Sequence, residues 1–137
     1  MSRQKILFVT ALTILFACNN DDPAPTRTQL LCAKPWRLVE TSINGVEEPA
    51  DACNDDDQIT FMESGEFSWD YGTVDCVSQP DQAPGSWQLL KNDTEIVWEY
   101  GHGLSRMEIL ELSPQVFRAA LLGNSKGMVV QFAPAVN

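Results

Sequence analysis

The chain has 137 residues, enough for one domain, and carries 9 basic against 19 acidic side chains for a formal charge of −10 at pH 7. A surface so negative repels phosphate backbones and anionic lipid headgroups, which argues against nucleic-acid binding and against adsorption to a membrane by charge alone. Four cysteines and a single histidine leave little material for a metal centre.

In chain order, Arg3 and Lys5 form a short cationic start, and the 12 residues Ile6 to Ala17 carry no charge. That run suits the apolar core of a signal peptide and falls short of the roughly 20 residues a transmembrane helix needs. It ends in Leu15-Phe16-Ala17-Cys18, which resembles the lipobox of bacterial lipoproteins. The resemblance implies cleavage after Ala17, a signal peptide over 1–17, and acylation of Cys18 by palmitate-type chains. Two or more acyl chains hold a protein stably at a membrane, where one is marginal. Loss of Arg3 and Lys5 takes the mature charge to −12. Residues 18–27, with Asp21-Asp22 and two prolines, cannot bury apolar area and are expected to form a disordered tether.

Residues 28–137 read as one domain. A single helical turn is expected around Thr28–Ala33, and eight strands follow. They are 35–43, 59–62, 66–71, 86–90, 94–100, 104–112, 116–122 and 128–132, joined by turn sequences such as Asn44-Gly45, Ser64-Gly65 and Asn92-Asp93. Alternation puts Phe67, Trp69 and Tyr71 on one face of their strand, and Ile96, Trp98 and Tyr100 on one face of theirs. Eight antiparallel strands in up-and-down order close into a barrel, which removes exposed sheet edges. A sandwich is the alternative architecture.

The order of features in the mature domain resembles the small lipocalin-like lipoproteins of Gram-negative bacteria. Leu30-Leu31, Trp36-Arg37-Leu38, Asn44-Gly45, Ile59-Thr60-Phe61, Gly65-Glu66-Phe67 and Gly85-Ser86-Trp87 carry the resemblance. It implies a barrel whose closed end is packed by Trp36. Where such proteins carry a glycine two residues before that tryptophan, this chain has Lys34. A location at the outer membrane follows, lipid-anchored and facing the periplasm or the cell exterior. That compartment is oxidising. Cys32, Cys53 and Cys76 allow three bonds, among which spacing alone does not choose. The loop-like sequence around Cys53 and Cys76, together with the resemblance, favours Cys53–Cys76, with Cys32 as a small apolar side chain.

Other constellations carry less. The acidic run Asp51, Asp55, Asp56, Asp57 lacks the glycine and spacing of an EF-hand, since Ile59 falls where a ligand belongs, although a looser calcium site at 51–57 remains open. His102 lies between two glycines with no nucleophile motif around it, and Glu95 and Glu99 read as solvated charges. No enzyme, metal or cofactor is therefore expected. Phe67, Trp69, Tyr71, Ile96, Trp98 and Tyr100 either fill the barrel or line a cavity, because eight strands are just wide enough for either. The expected function is binding of a small apolar ligand. The alternative is an interaction module or inhibitor that presents the 45–57 and 72–86 loops to a partner protein.

Overall fold

The computed structural model of the chain describes residues 23–73, 82–101, 103–123 and 127–135. The signal peptide, Cys18, Cys76 and His102 lie outside them. Among these residues one helix, α1 (Arg27–Cys32), is followed by nine strands: β1 (Trp36–Ile43), β2 (Val46–Pro49), β3 (Gln58–Phe61), β4 (Glu66–Asp70), β5 (Gln82–Leu90), β6 (Glu95–Tyr100), β7 (Gly103–Leu112), β8 (Phe117–Leu121) and β9 (Met128–Pro134). Every pairing is antiparallel. From β3 to β9 each strand pairs with the next, and β1 pairs with both β3 and β9, so eight strands close a barrel.

The ninth strand was not expected. β2 forms a hairpin with the far half of β1, from Ile43↔Val46 to Glu40↔Pro49, where the sequence suggested only loop. The turn has Asn44 at φ 54° and Gly45 at φ 79°, the left-handed pair that matches strand twist in a two-residue hairpin. β3 takes the same side of β1 lower down, at Trp36 and Arg37. All four residues of β2 are exposed, so periodicity had no buried face to report.

The two ends of the barrel differ. The lower end is closed by α1, which starts at a capping box: Gln29 N donates to Thr26 Oγ1 at 3.2 Å and Thr26 N to Gln29 Oε1 at 2.8 Å. Leu31 is fully buried, and Trp36 Nε1 donates to the Leu31 carbonyl at 2.9 Å, tying the first strand to the helix that plugs it. Above this plug Phe61 meets four rings, Phe67, Trp87, Trp98 and Phe117, with centroids 5.4–6.2 Å apart. Phe117 in turn stacks on Phe132 at 5.3 Å. These contacts make the lower half a packed aromatic core. Gly85 belongs to that packing, because a Cβ there would stand 2.5 Å from the Phe67 ring.

Two bulges reset which residues face inward. Between Leu38 and Glu40 the β1–β9 register shifts, so Thr41 opposite Val130 takes the interior side and Glu40 does not. A second shift between Ile109 and Glu111 leaves Leu110, 48% exposed, and Glu111 both outward and brings Leu112 inward opposite Phe117.

Candidate functional site

Above the packed core the barrel opens into a cavity of about 300 Å³. One wall is aromatic: Trp69 of β4, with Trp98 and Tyr100 of β6. The opposite wall is aliphatic and thioether, from Leu38, Met107, Leu121, Met128 and Val130, with Phe132 at the floor. Three polar side chains interrupt it, namely Thr41, Asn54 and Ser105. A mostly apolar hollow with a few polar groups is the usual make-up of a small-molecule site, and this volume lies at the lower end of the range for such sites, about 300–1,000 Å³.

The rings at the mouth form a chain. Trp69 stacks on Tyr71, with centroids 5.9 Å apart and planes 20° from parallel, and tilts against Tyr100 at 5.7 Å. Trp69 is oriented from behind, where its Nε1 donates to Asp57 Oδ2 at 3.1 Å. Asp57 is only 4% exposed. Burial raises its carboxyl, the Trp69 hydrogen bond works against that rise, and the charges of Asp56, Asp51 and Asp70 add to it. Burial likewise raises the Tyr71 phenol, helped by Tyr100 and Asp57.

Of the six aromatic and apolar residues singled out from sequence, three line the cavity and three do not. Trp69, Trp98 and Tyr100 face it. Phe67, 1% exposed, and Ile96, fully buried, lie lower in the solid core, and Tyr71 stands behind Trp69. Alternation assigned the correct face and had no means of assigning height along the barrel. The sequence also missed Leu38, Met107, Leu121 and Met128, which come from four strands and share no local pattern, and it placed Asp57 only in the acidic run.

The acidic run does several structural jobs. Asp51 Oδ1 accepts from Cys53 N, Asn54 N and Asn54 Nδ2 within its own turn, at 2.8–3.1 Å. Asp55 pairs with Arg37 at 3.4 Å, and Asp56 accepts from Thr73 N at 2.6 Å. Glu95 corrects the expectation of a solvated charge. It is 6% exposed, held between Lys91 Nζ at 2.6 Å and Arg106 Nε at 2.7 Å. Lys91 first and Arg106 next hold its carboxyl below the usual range, against the effect of burial. Cys32 is a free, half-buried thiol packed against the core and raised by burial. Cys53 is engaged rather than free, and Cys76, its expected partner, lies outside the described residues.

A sequence-family profile described as the lipocalin-like domain matches residues 33–118. The chain belongs to the lipocalin-like domain family. Its barrel is similar to that of a lipocalin-like protein from Bacteroides uniformis ATCC 8492, at TM-score 0.58 and 16% identity over 77% of this chain and 99% of that one. It is also similar to a DUF4847-family protein from Bacteroides vulgatus ATCC 8482, at TM-score 0.57 and 14% identity over 77% of this chain and 94% of that one. At these identities the likeness establishes a shared lipocalin-like fold. No curated protein matches the chain.

Proposed function

We propose that this lipocalin-like protein is a lipid-anchored bacterial lipoprotein whose barrel binds a small apolar molecule without transforming it. The observation that carries the reading is the division of the barrel interior. Aromatic packing fills the lower half, while an open hollow of about 300 Å³ remains above it between Trp69, Trp98 and the Leu38–Met128 wall. A protein that needed the barrel only as scaffold gains stability by filling such space, since a void in an apolar interior forfeits contacts. Anchoring at the outer membrane rests on the N-terminal sequence, with Cys18 as the acylated residue. Among the described residues no helix is long and apolar enough to cross a membrane.

The test is a titration of the purified domain with small apolar ligands, followed by tryptophan emission. Binding should saturate at one ligand per chain and should weaken severalfold in Met107→Trp or Leu121→Trp variants, which fill the hollow. Flat titrations across neutral, cationic and anionic ligands would refute the reading. The second reading, docking of a protein partner at the open end, draws on β2, an exposed strand at the edge of the sheet. It predicts co-purification of a partner from the native host that is lost when β2 is removed.

A further inference from the structure

The rings at the cavity mouth stand beside a carboxylate that is buried and only half satisfied. Asp57 gives one oxygen to Trp69 Nε1 at 3.1 Å, and its other oxygen, Oδ1, has no hydrogen-bond partner among the described residues. Among the described residues no lysine or arginine lines the cavity, and Arg37 of β1 pairs with Asp55. Building on the cavity-binding reading above, we propose that the hollow selects by charge. Its preferred occupant is a small apolar organic cation, a protonated amine or quaternary ammonium, over a neutral or anionic molecule of the same size and shape.

Three features act in the same direction. Trp69 and Tyr100 line the cavity with ring centroids 5.7 Å apart, Trp98 beside them, and the electron-rich faces of such rings attract organic cations. The hydrogen bond from the Trp69 indole to a carboxylate pushes electron density into that ring and so strengthens its face. The Asp57 charge itself lies in a poorly hydrated position, with no ion pair among the described residues; a cation in the hollow supplies a counter-charge. An anion there meets Asp57, with Asp51 and Asp70 nearby, and no compensating group among the lining residues. A neutral ligand gains only the burial that all three share. Asp57 acts through Trp69, as a positioning and field-setting residue, and the rings make the contact.

Three benzyl compounds of similar size separate the possibilities: benzylammonium, benzyl alcohol and phenylacetate, each titrated at neutral pH into the wild-type domain and followed by tryptophan emission. The cation should bind about tenfold tighter than the alcohol, with the carboxylate weakest. Equal affinities, or tighter binding of phenylacetate, would overturn the charge preference while leaving apolar binding in place. Failure of all three to bind would remove the cavity reading with it. Asp57→Asn keeps an oxygen for the Trp69 indole and removes the charge, so near-ultraviolet circular dichroism should retain the tryptophan signature. The preference for cation over alcohol should fall severalfold in that variant. An unchanged preference in the folded variant would take Asp57 out of the assignment. The wild-type comparison decides the charge preference even if the variant fails to fold.

Discussion

Two aromatic residues on neighbouring strands show how position along the barrel sets what a side chain is worth. Phe61 is 2% exposed and touches four rings, so Phe61→Ala deletes a ring from solid packing and should cost about 3–5 kcal/mol in urea denaturation. Trp69 is larger but half-buried, with the hollow already beside it. Trp69→Ala should cost less than half as much while abolishing ligand-dependent fluorescence changes, a combination that separates a cavity wall from a core. Charge follows the same rule of place. The Glu95 carboxyl titrates below its ordinary value of 4.5 because Lys91 and Arg106 hold it. Its stabilising contribution is therefore present above that value and is lost as pH falls through it toward the lower folded value. Asp57 works in the opposite sense, since a raised acid gains native-state protonation as pH falls. Glu95→Gln should accordingly destabilise the protein at pH 7, and the gap from wild type should narrow in urea melts repeated at progressively lower pH.

At the scale of the element, β2 is the segment whose removal tests how the barrel is held. The β1–β9 and β1–β3 pairings close the ring without it. Replacing Asn44-Gly45 with Ala-Ala forces two alanines into left-handed backbone, at about 1–2 kcal/mol per residue. The expected outcome in hydrogen exchange is fast exchange of the β2 amides with protection of β1 against β9 retained. Loss of protection throughout β1 would show instead that the hairpin is part of the closure. The acidic composition of β2, with Glu47, Glu48 and Pro49 on four exposed positions, is the kind of edge that resists pairing with a copy of itself.

For the whole molecule, two covalent features, a cross-link and an acyl anchor, are open to direct measurement. Peptide mapping without reductant should recover Cys53 cross-linked to Cys76 with Cys32 free; a cross-link through Cys32 would contradict the pairing. Closing that 24-residue loop is worth roughly 3 kcal/mol on the chain-entropy account. Membrane association should depend on Cys18. A chain with Cys18→Ala and a general secretory signal in place of residues 1–17 should move from the membrane pellet to the soluble fraction. Retention of that chain in the pellet after a salt wash would show a second anchor.

Much of this was legible in the residues, because it depends on neighbours in sequence. Period-two alternation gave the inward faces of β4 and β6, with Phe67 and Trp69 on one and Ile96 and Trp98 on the other, and the turn at Asn44-Gly45 needs only two residues to specify it. The resemblance to lipocalin-like proteins, rather than local pattern, implied that Trp36 packs the closed end, and it packs there. Local pattern failed wherever the third dimension chooses. β2 buries nothing and so carries no periodicity, and the bulges at Val39 and Leu110 switch inward parity through a register set by β9 and β8. Glu95 is buried by two basic side chains that fold over it, one of them from β7. Whether an inward ring lies in packed core or beside a hollow depends on its height in the closed barrel, a quantity fixed by strand register and by the plug at one end. Sequence determined a lipocalin-like barrel with its aromatics inside; only closure of that barrel decided that Phe67 and Ile96 fill it while Trp69, Trp98 and Tyr100 leave room.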